Sequence, residues 1–128
     1  MDNCIFCKII DGSIPSKTIY EDEIVKVFLD INPLNPGHTL IIPKKHYLDF
    51  DDITDETLEH IKETARYIKK LLTNKLNCDG ITFLQNNGCC QEVKHYHLHV
   101  IPQYEEKQEL QEVIDVYNKL KDENLTEK

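Results

Sequence analysis

Short apolar runs bounded by turn residues characterise the first half of the chain. Residues 24–29 are apolar except for Lys26, and residues 38–43 read His-Thr-Leu-Ile-Ile-Pro; short runs of this kind are typical of strands. Residues 32–37 between them contain two prolines and a glycine, which force a turn. We therefore predict two antiparallel neighbouring strands, with His38 at the start of the second.

A period of three to four residues replaces this pattern in residues 54–77 and predicts a long amphipathic helix. Thr54 is the expected N-cap, and Ile53 and Leu58 occupy the positions of a hydrophobic staple. His60 falls on the charged face of this helix and is predicted to be solvated. The periodic apolar residues are Leu58, Ile61, Ala65, Ile68, Leu72 and Leu76.

The second half of the chain predicts two further strands, over residues 80–85 and 95–101, with the polar loop 86–91 between them. Residues 105–121 are predicted to form a final helix. The apolar side of that helix would carry Leu110, Val113, Ile114, Tyr117 and Leu120. This order of elements favours an α+β fold with a mainly antiparallel sheet.

Size, charge and cysteine usage limit the functional classes. A length of 128 residues predicts one domain over 1–128, and the formal charge of -8 argues against a nucleic-acid-coating surface. The odd number of five cysteines favours a reduced compartment over a disulfide framework. The first residues show neither a basic nor an apolar leader region, and no apolar run has the length of a membrane span. We therefore expect a cytoplasmic protein without a membrane partner.

The segment from His95 to His99 has a histidine at every second position. On a strand His95, His97 and His99 would share one face. The side chains between and after them, which would face the core, are Tyr96, Leu98 and Val100. Two interpretations stay open: three imidazole ligands of a zinc ion, or acyl-type or phosphoryl transfer in which one neutral imidazole attacks and its neighbours stabilise the developing charge.

The triad and several other segments resemble the histidine triad (HIT) family, in its Hint-like branch. The triad is followed by the apolar pair Val100-Ile101, as in the family signature. The other matching segments are residues 4–10 with Ile14-Pro15, residues 28–33, residues 36–46, Asn86-Asn87-Gly88 and Gln91. One departure is the loop Gly88-Cys89-Cys90-Gln91, which is shorter than the family's glycine-rich stretch and has Cys90 where a glycine would stand.

The resemblance implies a HIT-like fold, a homodimer and nucleotide chemistry. Such a fold has a sheet of about five strands, one long central helix, and a C-terminal helix and tail over about 105–128. The implied activity is hydrolysis or transfer at the α-phosphate of purine nucleoside monophosphate derivatives, such as AMP or GMP phosphoramidates, through a nucleotidyl-histidine. The alternatives are a dinucleoside polyphosphate hydrolase and a nucleotide-binding protein without turnover.

Residue roles follow from the same resemblance. His97, the middle histidine, is the implied nucleophile, and His38 and His99 are its phosphate-contacting or proton-handling partners. Asp30 is the implied acceptor for the ribose hydroxyls, although an aspartate before Asn32-Pro33 also suits turn initiation. Polar groups near the phosphate or leaving group would be Asn86 and Gln91. An apolar slot for the base would be formed by Ile5, Phe6, Ile9, Phe28, Ile31 and Leu40.

The Cys4-x-x-Cys7 spacing by itself suits a redox pair, two zinc ligands or two surface thiols. The family resemblance implies a structural zinc ion held by Cys4, Cys7, His46 and His95. In that arrangement His95 turns toward the metal, and His97 and His99 stay with the phosphate. A closed four-ligand site would be structural, since it leaves no coordination position for water.

Overall fold

A five-stranded antiparallel sheet organises residues 3–121, the part of the chain that the computed structural model describes. Residues 1, 2 and 122–128, including the predicted C-terminal tail, lie outside it. The strands are β1 (Thr18–Glu21), β2 (Val25–Leu29), β3 (Thr39–Pro43), β4 (Gly80–Leu84) and β5 (Leu98–Gln103). Their order across the sheet is β1-β2-β3-β5-β4. The predicted α+β class is confirmed.

Within the described residues three α-helices accompany the sheet: α1 (Ile5–Ile10), α2 (Asp55–Leu76) and α3 (Val113–Leu120). Helix α2 begins and ends where the sequence predicts. The hydroxyl of Thr54 accepts a hydrogen bond from the backbone N–H of Thr57, and Asn77 ends the helix in the left-handed conformation at φ 54°. None of the helices within residues 3–121 combines the length and the apolar character that crossing a membrane requires.

Two apolar cores lie against the sheet. The main core joins α2 and α3 to the strands and includes Ile41, Ile68, Leu72, Tyr96 and Val100. The second, which we call the α1 core, is smaller. Its buried members are Phe6, Ile9, Phe28, Leu40 and Ile42. Because neighbouring residues of a strand point to opposite faces, Leu40 and Ile41 of β3 belong to different cores.

The turn before β3 depends on Gly37, which has a φ of 93°. A Cβ atom there would collide with the side chain of Leu76 and lie 3.0 Å from that of Pro102. The side-chain amide of Asn35 donates to the Pro102 carbonyl at 2.9 Å and fastens the turn to β5. These contacts place His38 beside the triad strand.

The structure corrects the sequence prediction at the C-terminal side. Residues 105–112 form no helix, and Leu110 is 59 % exposed, whereas the prediction placed it on an apolar side. Helix α3 starts only at Val113 and buries Val116 and Leu120. Few apolar residues and many charged ones precede Val113, so that stretch has little surface to bury against the core.

Three further features differ from the prediction. The strand predicted over 95–101 forms only from Leu98 and extends to Gln103, and neither β1 nor α1 was predicted. His60 is partly exposed and has a protein partner: its Nε2 lies 2.7 Å from a carboxylate oxygen of Asp22, which also accepts a hydrogen bond from the Tyr20 hydroxyl. Burial would raise the pKa of Asp22, but the hydrogen bonds that this carboxylate accepts lower its pKa to about 2.

Candidate active site and metal centre

The three triad histidines lie on the α1 side of the sheet, although only His99 belongs to a strand. The rings of His97 and His99 are 4.9 Å apart, and Phe6 of α1 contacts the rings of His95 and His97. Tyr96 and Val100 point to the other side and are buried in the main core. The predicted alternation of faces therefore persists through residues 95–97, which precede β5.

A backbone carbonyl defines the tautomer of His97. Its Nδ1 atom lies 2.8 Å from the carbonyl oxygen of His95. Since a carbonyl only accepts, Nδ1 carries the proton and donates it. A neutral His97 therefore has its free lone pair on Nε2.

A second chain of hydrogen bonds defines the tautomers of His38 and His99. The backbone N–H of Leu34 donates to Nδ1 of His38 at 3.1 Å, so the proton of a neutral His38 is on Nε2. That Nε2 lies 2.9 Å from Nδ1 of His99 and 3.6 Å from a carboxylate oxygen of Asp30. His38 therefore donates to His99, and the proton of a neutral His99 is on its Nε2.

Burial keeps these imidazoles neutral. It lowers the pKa of His97 below its usual value of 6.5, against the raising effects of its hydrogen bond to the His95 carbonyl and of the Asp30 charge. Burial, followed by the neighbouring His97 and His38, lowers the pKa of His99 to about 4. Burial also lowers the pKa of His38, with Asp30 opposing it. At neutral pH the group offers one lone pair and one N–H on adjacent rings.

Four of the six predicted slot residues come together in the α1 core: Phe6, Ile9, Phe28 and Leu40. The other two, Ile5 and Ile31, are 41 % and 74 % exposed. Asp30 follows β2 and accepts a hydrogen bond from the backbone N–H of Asn32 at 2.9 Å. It therefore has the turn-initiating contact of the alternative interpretation and also lies beside His38.

The loop 86–91 contains the two predicted polar groups in different settings. Asn86 is partly exposed. Gln91 is buried, and its side-chain amide donates to the Leu48 carbonyl at 2.6 Å, which fastens the loop to the segment after β3. Asn87, not predicted as a site residue, accepts a hydrogen bond from the backbone N–H of Phe50 at 2.9 Å and strengthens the same attachment. The adjacent asparagines Asn86-Asn87 were the only feature of the sequence that pointed to this role of Asn87.

A second group of potential ligand atoms lies next to the triad, where the four predicted metal ligands meet. Nδ1 of His95 is 3.4 Å from Sγ of Cys4, 3.6 Å from Sγ of Cys7 and 3.1 Å from Nδ1 of His46. Nδ1 of His46 is 3.2 Å from Sγ of Cys7. All four ligand atoms lie within 4.8 Å of one another.

These separations fit a tetrahedral zinc ion. Zinc bonds of about 2.0–2.1 Å to nitrogen and 2.3 Å to sulfur place neighbouring ligand atoms roughly 3.3–3.8 Å apart. Nε2 of His95 lies 2.8 Å from the Pro43 carbonyl, so it carries the proton and leaves Nδ1 as the ligand atom. Burial lowers the pKa of His95 to about 4, so this imidazole is neutral, as a ligand must be.

The thiol of Cys7 needs a cation to ionise in this setting. Burial, the hydrogen bond with Cys4 and the charge of Cys4 raise the pKa of Cys7 to about 11. A bound divalent cation would reverse this shift and hold the sulfurs as thiolates. Within residues 3–121 a second group of potential metal ligands consists of Asp30, His38 and His99. Neither this group nor the Cys4, Cys7, His46 and His95 group contains all three triad histidines.

Comparison with known proteins gives a consistent family relationship. The model of the HIT domain matches residues 11–106. An uncharacterized HIT-like protein of Methanocaldococcus jannaschii is 48 % identical over 130 residues, covering 97 % of each chain. An adenosine 5'-monophosphoramidase of Saccharomyces cerevisiae is 46 % identical over 106 residues, which are 81 % of this chain and 65 % of the yeast protein.

Solved structures show the same fold. A zinc-bound histidine triad family protein of Mycobacterium smegmatis is similar with a TM-score of 0.85 and 33 % identity. The match covers 93 % of this chain and 91 % of the mycobacterial chain.

Proposed function

This chain belongs to the HIT domain family, and we propose that it is a phosphoramidase-like hydrolase or transferase acting at the α-phosphate of purine nucleoside monophosphate derivatives. The observation that carries the proposal is the pair of tautomers at the triad. Nε2 of His97 has a lone pair, and Nε2 of the adjacent His99 has a proton. A nucleophile and a donor side by side suit displacement at phosphorus.

In the proposed reaction Nε2 of His97 attacks the α-phosphorus, and the bond from phosphorus to the leaving group breaks. The leaving amine takes up the Nε2 proton of His99, and the nucleotide remains covalently attached to His97. Water then cleaves the P–N bond and returns a proton to His99, which releases the nucleoside monophosphate and regenerates the two neutral imidazoles. His99 and His38 stabilise the phosphate charge and move the proton. Asp30 accepts the ribose hydroxyls, and Asn86 and Gln91 serve the phosphate and leaving-group side.

The named activity of the yeast relative supports this class of substrate. The shorter Gly88-Cys89-Cys90-Gln91 loop favours a second candidate, a nucleotide-binding protein without turnover, because it changes the backbone next to the predicted phosphate contacts. A dinucleoside polyphosphate hydrolase would use the same histidines and differ in the leaving group.

We also propose a structural zinc ion bound by Cys4, Cys7, His46 and His95. The ligand-atom separations and the zinc-bound mycobacterial relative support it. When bound, the ion would cross-link α1 to the segment that follows β3, which carries His46, and to the segment that precedes β5, which carries His95. The four protein ligands leave no coordination position for a water molecule. A catalytic zinc on the three triad histidines receives no support, because His95 groups with the cysteines.

The proposed assembly is a homodimer in the cytoplasm. Strand β4 is an edge strand and exposes Phe83 and Leu84. A cavity of about 370 Å³ lies between this strand and α2. All five cysteines are free thiols, as a reducing compartment favours.

The test of the enzymatic proposal is a covalent adduct. After brief incubation with an adenosine phosphoramidate and quenching, mass spectrometry should find an adenylyl group on a peptide containing His97. His97→Ala should form no adduct, whereas His99→Ala should slow adduct formation by about 100-fold without abolishing it.

His60→Ala is the matched control, because it removes a histidine that pairs with Asp22 outside the site. It should turn over at the wild-type rate. An adduct on His95 or His99, or near-normal turnover by His97→Ala, would contradict the assignment. AMP binding without any adduct or turnover would favour the second candidate.

A further inference from the structure

Helix α1 belongs to the metal-ligand cluster and to the apolar slot at the same time. Cys4 is its N-cap, with Sγ accepting a hydrogen bond from the backbone N–H of Cys7 at 3.4 Å, and both sulfurs belong to the cluster. Phe6 and Ile9 of the same six-residue helix are buried in the α1 core. Any ion bound by the cysteines therefore acts on the element that carries part of the slot.

The attachment of α1 to the rest of the molecule is limited. None of residues 4–14 belongs to the buried main core. Besides the α1 core and the cluster, the contacts that hold this helix include a long hydrogen bond of 3.4 Å from Nζ of Lys26 to the Ile9 carbonyl. A helix this short has little stability of its own. Its position therefore depends on the α1 core and on the four ligand residues together.

The ring of Phe6 connects the cluster with the triad. Its centroid lies 5.8 Å from the ring of the potential ligand His95, 5.0 Å from the ring of His97 and 5.8 Å from the ring of Phe28. All three contacts are edge-to-face, at interplanar angles of 81°, 78° and 68°. A displacement of α1 would move Phe6 away from the slot and from the proposed nucleophile together.

We propose that a zinc ion on Cys4, Cys7, His46 and His95 raises the nucleotide affinity of the slot by fixing α1, with Phe6 as the positioning residue that couples the two sites. The inference rests on the proposed nucleotide site. Zinc and nucleotide then bind cooperatively, because each favours the same placement of α1. Nucleotide binding to a slot that zinc has already ordered loses less conformational entropy.

Thermodynamic linkage makes the coupling measurable from both sides. Zinc should raise the affinity for nucleotide by the same factor by which nucleotide raises the affinity for zinc. Coupling between sites in proteins is commonly 5- to 150-fold, and we expect about tenfold here. Neither measurement requires catalysis.

The experiment measures AMP binding by calorimetry on the full chain, once zinc-loaded and once after zinc removal by a chelator. The Kd for AMP should be about tenfold higher without zinc. In a second titration, a chromogenic chelator competes with zinc-loaded protein for the zinc ion, once with and once without saturating AMP. AMP should lower the Kd for zinc by the same tenfold. This titration starts from loaded protein and gives an answer even where the zinc-free form is too unstable for calorimetry.

Two variants separate the role of α1 from general stabilisation. Phe6→Leu should retain one zinc ion per chain, and the ratio of the two AMP dissociation constants should fall to about twofold or less. Ile31→Ala is the control at a residue that the sequence assigned to the slot but that does not touch α1 through the α1 core, since Ile31 is 74 % exposed and lies outside that core. It should weaken AMP binding in both zinc states and leave the ratio unchanged.

Three outcomes would overturn the inference. Equal AMP affinity with and without zinc would remove the coupling but leave the proposed function intact. A coupling ratio unchanged in Phe6→Leu would mean that zinc acts through overall stability and not through α1. Failure of the zinc-loaded protein to bind AMP at all would overturn the proposed function as well.

Discussion

The nitrogen that we propose as the nucleophile, Nε2 of His97, has its lone pair because Nδ1 on the opposite side of the ring donates to the His95 carbonyl. A backbone acceptor at this position holds the tautomer without adding a charge. The proposed nucleophile does not need a carboxylate to activate it, since a neutral imidazole already has the required lone pair. What the protein must do is keep the ring neutral.

We predict that adduct formation stays fast in mild acid. Burial lowers the pKa of His97 below 6.5, so the rate should fall less between pH 7.5 and pH 6.0 than it would for an unshifted imidazole. For an unshifted imidazole of pKa 6.5, the neutral fraction would fall about fourfold between pH 7.5 and pH 6.0. Quenched-flow measurement of the adenylyl adduct between pH 5 and 8 gives the profile. A midpoint at 6.5 or above would contradict the buried, neutral nucleophile.

The same pKa shifts affect stability, and this effect needs a control. The unfolded chain binds protons at pH values near 6.5, whereas folded His99 binds them only near pH 4. Between these values the unfolded state holds more protons, so stability falls as the pH falls. Circular dichroism at each pH separates loss of fold from loss of the neutral nucleophile.

At the scale of single elements, the turn before β3 determines where His38 lies. We predict that Gly37→Ala destabilises the fold by roughly 1–3 kcal/mol, because the new Cβ collides with Leu76 as well as requiring a positive φ. Urea unfolding would measure the loss, and turnover should fall as the turn shifts His38.

Gly12→Ala is the matched control for this substitution. Gly12 also has a positive φ, 89°, but no atom lies within 4 Å of the position of its Cβ. It therefore reports the conformational cost alone. Equal losses in the two variants would mean that the contacts with Leu76 and Pro102 do not matter.

For α1 we predict that Cys4→Ser separates stability from chemistry. Serine can still cap the helix, so the variant removes mainly a zinc ligand. A loss of about 2 kcal/mol would lower the Tm of zinc-loaded protein by roughly 6–12 °C. The catalytic constant at saturating nucleotide should stay within a few-fold, because Cys4 does not contact His97 or His99.

Cys89→Ser, which changes an exposed thiol outside the cluster, should leave the Tm and the zinc content unchanged. Differential scanning fluorimetry and metal analysis give both readouts. A large loss of turnover in folded Cys4→Ser protein at saturating nucleotide would contradict a purely structural cluster.

Elements with a strong repeating pattern were predictable from the sequence, and those held by tertiary contacts were not. Helix α2 has a full apolar period and a capping threonine, so its ends agree with the prediction within one residue. Helix α1 has no such period, because it is held by Cys4 and Cys7 and by the α1 core. At α3 the periodicity suggested Leu110, but the surface available for packing begins at Val113.

The site shows the same division. The alternating histidines and the Cys-x-x-Cys spacing marked the triad and the two cysteines as candidate site residues, and the family resemblance supplied the partners His38 and His46. The tautomers of His97 and His99 depend on carbonyl and backbone N–H groups, which every residue has and no sequence pattern marks. The pairing of His60 with Asp22 was missed for the related reason that it joins elements far apart in the chain.

At the scale of the whole molecule, the sheet has two different edges. Strand β1 forms one edge and β4 the other, and β4 exposes Phe83 at 45 % and Leu84 at 41 %. Next to β4 the apolar cavity against α2 is rimmed by the cations Lys62, Arg66 and Lys69. An exposed edge with apolar side chains invites pairing with another strand. A second copy of the chain covers the β4 edge of both protomers at once, since a two-fold axis pairs like with like.

We therefore predict that the protein sediments at twice the 15.0 kDa chain mass at micromolar concentration. Phe83→Glu should shift it toward the monomer, because it places a charge in the apolar contact and opposes its own copy across the axis. Ile24→Glu is the matched control: Ile24 is similarly exposed, at 42 %, but lies in the turn between β1 and β2, on the far side of the sheet from β4. It should remain dimeric. A wild-type protein that sediments as a single 15.0 kDa species, or a Phe83→Glu variant that remains dimeric while Ile24→Glu dissociates, would place the interface elsewhere or remove it.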